Sequence, residues 1–210
     1  LFLDQLPEDL QRPFKGTFIH KITDVNDSYC SSNEENFFAL SIDIKHFTTI
    51  EESFNSFLKY ELFTGENQIF SDTLGTKIDA KKYTRIKVAP PNLVLHLKRF
   101  EYSRSTFNYI KIKSRFEVPQ TIDISPLLED EKETNTKYTL KGVVLHEGNA
   151  NSGHYISLVK HKETWIKCND KNLSIFNIND FMEETFGGQS SSFCAYLLFY
   201  SLDVNDEISI

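Results

Sequence analysis

The residues best placed to do chemistry lie between His146 and Asp170, in HEGNANSGHYISLVKHKETWIKCND. His154 opens an apolar run, and a second run closes on Cys168, Asn169 and Asp170. The polar residues His161, Lys162, Glu163 and Thr164 separate the two. A hairpin with Lys162 and Glu163 at the turn centre sets His161 opposite Thr164 and Ile156 opposite Asn169. Side chains alternate faces along a strand, so His154, one diagonal step away, shares a face with Asn169. Cys168 then points to the other face. A slip of one residue would bring Asp170 beside His154 instead. In either register a histidine gains a polar neighbour that can fix its tautomer, which is what a general base needs.

A single histidine at a strand start is ordinarily structural. His20, His46 and His161 read that way, and His96 reads as a hydrogen-bonded histidine inside LVLHLKRF. His154 differs in its company. Gly148 and Gly153 bracket the loop before it, where backbone can approach a ligand closely, and Tyr155 follows. Zinc is not expected: His146, His154, His161 and Cys168 are separated by gaps of eight, seven and seven, and no CxxC pair occurs. Nor does a thiol partner emerge. Cys168 faces away, Cys194 sits in an apolar strand where a thiol is normally inert, and Cys30 lies in a distant turn. The chain offers a base and an orienter without a nucleophile beside them.

The elements that must position these residues follow from periodicity and breakers. Residues 1–14 read as a short helical or irregular entry. Residues 16–24 read as a strand, 25–35 as a polar turn, and 36–44 as a second strand of a long antiparallel hairpin, with Phe38, Leu40, Ile42 and Ile44 alternating with smaller or polar residues. Residues 49–61 carry the best helical pattern, with capping-box spacing at Thr49 and Glu52 and one face of Ile50, Phe54, Phe57 and Leu58. A turn is expected at 73–76 and a strand at 83–88. Pro90 and Pro91 interrupt the chain before LVLHLKRF at 93–100, whose unbroken apolar character suggests a strand covered on both faces. Residues 101–109 read as a polar, aromatic-rich loop, 110–118 as strand, and 127–137 as a solvated loop. Strands follow at 138–145 and 193–200, with a short helix at 177–185 between them. Many antiparallel strands with a few short helices make an α+β domain.

At 210 residues the chain is one domain or a large piece of one. A net charge of −7 argues against a nucleic-acid backbone as partner. Three scattered cysteines build no disulfide framework, so a reducing compartment is the simple reading. No secretory signal and no bilayer-length apolar run is seen, so no membrane partner is expected.

Four blocks carry a family resemblance: LVLHLKRFEY (93–102), GVVLHEGNANSGHYISLV (142–159), WIKCND (165–170) and AYLLFY (195–200). In this order and spacing they resemble the ubiquitin-specific proteases, papain-like cysteine deubiquitinases, most of all the herpesvirus-associated branch. FKGTFIHKI (14–22) and the helix region fit as well. The resemblance implies a thumb–palm–fingers fold, of which residues 1–210 would be a partial catalytic domain: fingers at about 14–90, palm at about 91–201, and a tail at 202–210, with the thumb largely absent. It places the catalytic histidine on His154, its orienting partner on Asn169, and the acidic residue that often follows on Asp170. Gly153 and Tyr155 would flank the channel for the Gly-Gly end of ubiquitin, beneath blocking loops at 147–153 and 101–109. It implies ubiquitin and ubiquitinated proteins as partners, no cofactor, and an intracellular setting in cytoplasm or nucleus. The finger-tip turns TDVNDSYCSS and FSDTLGTK lack the CxxC pairs that hold zinc in many members. Nothing in residues 1–60 resembles the family's Cys block, so the nucleophile is expected upstream, in an N-terminal thumb segment needed for activity. The alternative is a non-catalytic ubiquitin-binding module or pseudoenzyme.

Overall fold

A computed structural model describes residues 2–24, 30–130, 132–188 and 191–203. Its strands, in chain order, are β1 (Gly16–Asp24), β2 (Cys30–Phe37), β3 (Leu40–Ile42), β4 (Glu61–Phe63), β5 (Ile69–Ser71), β6 (Thr76–Ile78), β7 (Ala80–Val88) and β8 (Asn92–Leu97). The second half adds β9 (Phe100–Ser103), β10 (Asn108–Lys111), β11 (Thr121–Asp123), β12 (Lys137–Gly148), β13 (Gly153–His161), β14 (Thr164–Asn169), β15 (Asn172–Phe176) and β16 (Phe193–Leu202). Three short α-helices accompany them: α1 (Glu8–Gln11), α2 (Ile50–Phe57) and α3 (Phe181–Thr185). An α+β domain dominated by strands is what the sequence pattern implied.

Two sheets carry the architecture. The smaller has four strands in the order β2-β1-β7-β4. The larger runs β15-β14-β13-β12-β16-β8-β3, with β11 added beside β12. Its pairs are antiparallel except β3 with β8. The core lies mainly against this sheet, where Leu93, Leu95, Leu140, Leu145, Leu158 and Leu198 are fully buried. Residues 2–14 pack on the opposite face, where Leu3 meets Val94 and Leu197 with Phe14 alongside. β8 thus has apolar neighbours on both faces, as its unbroken run suggested. Among the described residues no helix is long and apolar enough to cross a membrane.

Several expectations need correcting. The hairpin partner of β1 is Cys30–Phe37, so the second strand begins inside the segment read as a turn; residues 25–29 lie outside the described residues. Leu40 and Ile42 belong to β3, not to that hairpin. With Ile44 they are at most 1 % exposed, and burying them against β8 draws the chain into the larger sheet. The helix from Thr49 ends at Phe57 rather than 61, and Glu61–Phe63 pairs with β7 instead. Its start is as read: Thr49 accepts from the Glu52 amide, and the Glu52 carboxylate accepts from the Thr49 amide in return.

The run at 93–100 breaks at Lys98 and Arg99. Arg99 is completely buried, and its guanidinium donates to the carbonyls of Ala195 (3.0 Å), Ile112 (3.2 Å) and Ser114 (2.7 Å). The strand expected at 110–118 ends at Lys111. One side chain takes over carbonyls that a neighbouring strand would otherwise satisfy. Residues 101–109 are not a loop but most of a two-stranded hairpin, β9 with β10, in which Tyr102 faces Tyr109. The 177–185 helix is a 3-10 turn at Ile178–Asp180, capped by the Asn177 side chain, running into α3.

Candidate active site

β13 and β14 form the hairpin that the sequence pattern required. His161 pairs with Thr164, and Lys162 takes the left-handed conformation (φ 54°) of a tight turn. Ser157 pairs with Cys168, so the next step along the ladder brings Ile156 level with Asn169. The parity follows through to the side chains: His154 Nε2 lies 2.6 Å from Asn169 Oδ1. An amide oxygen only accepts, so Nε2 carries the proton in this bond and Nδ1 is the nitrogen left to act as a base. Both residues are half-buried.

Asp170 is not brought to the histidine. It occupies the two-residue turn between β14 and β15 with φ 51°, exposed, while Asn169 pairs with Asn172. The tight turn settles the register and leaves Asn169 as the partner. Cys168 alternates to the opposite face, and Cys194 is buried in β16 with its thiol 3.8 Å from the carbonyl of His146.

The loop before His154 is built by two glycines and an asparagine. Gly148 has φ 101°, and a Cβ there would lie 2.5 Å from the Ser152 carbonyl oxygen. Asn149 Oδ1 accepts from the amides of Asn151 (2.9 Å) and Ser152 (3.0 Å), closing the turn from within. At Gly153 a Cβ would stand 2.7 Å from His146 Cε1, and nearer still to His146 Nε2 and the Glu147 carbonyl oxygen. Only glycine lets the two strands meet here.

An aromatic wall that sequence reading missed stands beside this loop. The His146 ring lies between Phe100, edge-on at 5.1 Å, and Tyr155 at 4.8 Å. Tyr196 touches Phe100, Tyr155 and His96. Together with Gly153 and residues 149–152 these rings line a cleft of about 300 Å³. Burial first, and Lys111 second, hold His146 below the ordinary imidazole range, while burial and Tyr155 push Tyr196 upward. His146 therefore serves as a neutral wall. The register of β12 against β13, with Gly148 opposite Gly153, sets His146 opposite Tyr155. His96 bonds Ser41 at 2.9 Å, the satisfied histidine that was expected. A larger groove of about 950 Å³ lies at the far end of β13 and β14, floored by Trp165, Phe176 and Phe186. The smaller cleft is the one nearer the base along the chain, because Gly153 and Tyr155, the residues on either side of His154, line it.

A family model described as ubiquitin carboxyl-terminal hydrolase matches residues 2–200. The chain belongs to this family. Relatives include ubiquitin carboxyl-terminal hydrolase 5 of Schizosaccharomyces pombe, 34% identical over 83% of this chain and 16% of its own length. Ubiquitin carboxyl-terminal hydrolase 15 of Saccharomyces cerevisiae is 32% identical over 85% of this chain and 15% of its own. Among solved structures, a chain of the SAGA Ubp8/Sgf11/Sus1/Sgf73 DUB module bound to ubiquitin aldehyde matches with a TM-score of 0.79 and 26% identity, over 94% of this chain and 43% of that one. The fold is therefore that of the fingers and palm of ubiquitin-specific proteases. The chain spans only about a sixth of the length of the first two relatives.

Proposed function

We propose that this chain carries the base-and-orienter half of a thiol-dependent deubiquitinase acting on isopeptide or peptide bonds at the ubiquitin C-terminus. The observation that carries the reading is the 2.6 Å bond between His154 Nε2 and Asn169 Oδ1, on strands of a chain belonging to the ubiquitin carboxyl-terminal hydrolases. A thiol of ordinary pKa, about 8.5, is mostly protonated at neutral pH. His154 Nδ1 takes that proton, and the thiolate attacks the carbonyl carbon of the scissile bond. The imidazolium then gives its proton to the departing lysine amine, leaving a thioester that water hydrolyses with His154 again as base. Asn169 holds the tautomer without adding charge. Gly153 and Tyr155 flank the channel for the ubiquitin tail in the cleft above His146. Asp170 keeps in this reading its place as the acidic residue that follows the orienter, exposed in the turn after β14.

In this reading residues 14–90 serve as fingers, 91–201 as palm and 202–210 as tail. The partners are ubiquitin and ubiquitinated proteins inside the cell, and the thiol comes from an N-terminal thumb segment. The branch assignment rests on the sequence blocks alone. A second reading, a ubiquitin-binding module without catalysis, is favoured by the two described thiols: Cys168 faces away from His154 and Cys194 is buried. A ubiquitin C-terminal fluorogenic substrate given to the full-length protein decides between them. Release abolished by His154→Ala supports the enzyme. Binding of ubiquitin without release supports the module, and a folded protein that does neither overturns both.

A further inference from the structure

Lys111, the last residue of β10, donates from Nζ to two main-chain carbonyls at the end of β12: His146 at 2.8 Å and Gly148 at 3.3 Å. Those carbonyls flank Glu147, the residue paired directly with His154. β16 starts at this same level, with Phe193 opposite Glu147, so the ammonium grips β12 where its other neighbour begins. Lys111 is also paired with Phe100 across the β9–β10 hairpin, and the Phe100 ring lies edge-on to His146. One hairpin therefore holds His146 twice, by its carbonyl through Lys111 and by its ring through Phe100. His146 in turn covers Gly153, the residue before His154.

We propose that Lys111 is a positioning residue for His154, its ammonium locking the strand opposite the histidine and tying the β9–β10 hairpin to the loop at 147–153. The inference rests on the reading of His154 as the base. A charged donor suits the place: bonds from an ammonium are stronger than neutral ones, and a compact head can serve two carbonyls at once. Lys111 is half-buried among Cys194, Lys113 and Arg99, and burial holds its ammonium below the usual lysine range. Without the clamp the end of β12 can shift against β13, and the distance from His154 to Asn169 is no longer fixed.

The test is made on the whole chain by nitrogen-15 NMR of the histidine rings and by amide hydrogen exchange. In the wild type, His154 is expected as a single tautomer with the proton on Nε2. Lys111→Met should leave a folded protein with mixed His154 tautomers and exchange at the Glu147 and His154 amides faster by about tenfold or more. Lys111→Arg, which keeps charge and donors, should restore both. Should Lys111→Met fail to fold, Lys111→Gln, a neutral donor, replaces it with the same expectations. An unchanged ring spectrum and unchanged exchange in a folded neutral variant would overturn the proposal, as would a folded arginine variant that behaves like the neutral one. Failure of the wild type to bind ubiquitin would sink the functional reading, while the ring spectrum still decides the role of Lys111.

Discussion

Adding one methyl group at Gly153 tests the site at its tightest point. In Gly153→Ala the new Cβ would stand 2.7 Å from His146 Cε1, against the 3.4 Å at which ordinary contact begins. It would stand closer still to Glu147 O, which is backbone and does not swing aside. His146 cannot retreat freely either, since it is only 3 % exposed and lies between Phe100 and Tyr155. The strands must then separate at the His154 end by roughly 1 Å, a displacement that can cost about 10²-fold in turnover. Overpacking of this kind costs about 1–3 kcal/mol, and at ~2–4 °C per kcal/mol for a chain of this size the melting temperature should fall by roughly 2–12 °C. Two assays read the two effects. Thermal unfolding of this chain gives the stability, and a fluorogenic ubiquitin substrate with the full-length protein gives the turnover. Wild-type turnover together with an unshifted melting curve would refute the close-approach reasoning.

Three further outcomes are expected. His146 is buried neutral with its affinity for protons lowered, so the unfolded chain, with an ordinary imidazole near about 6.5, binds the proton better. Its contribution is present above that value and lost as pH falls through the lower folded one; urea midpoints should drop between pH 7 and 5, and drop less in His146→Gln, whereas equal slopes would count against it. Arg99→Met removes the donor from the buried Ala195 carbonyl and from the part-buried bonds to Ile112 and Ser114, and should cost about 3 kcal/mol, a fall of roughly 6–12 °C in melting temperature; a shift of only a degree or so would mean the carbonyls find other partners. Cys168→Ser should leave ubiquitin hydrolysis by the full-length protein unchanged, and loss of turnover would make Cys168 the nucleophile and the facing argument wrong.

The sequence by itself determined the β13–β14 hairpin and, through the period of two, that His154 and Asn169 share a face while Cys168 does not. It also determined the capping box at Thr49 and a covered strand from Leu93, read to 100 where the structure ends it at Leu97, because capping and apolar patterning are local properties of a few residues. Tertiary structure decided the rest. Periodicity cannot say which sheet an apolar alternation joins, so Leu40 and Ile42 read as part of a hairpin yet pair with β8. Residues 112–118 carry a strand-like composition, but the Arg99 guanidinium takes the carbonyls of Ile112 and Ser114 and the Gly188 amide takes that of Lys113. The wall of Phe100, His146, Tyr155 and Tyr196, and the Lys111 clamp behind it, bring together five strands, β9, β10, β12, β13 and β16, from three separate stretches of the chain. Spacing along the chain holds no record of such neighbours; only the closed sheet sets them side by side.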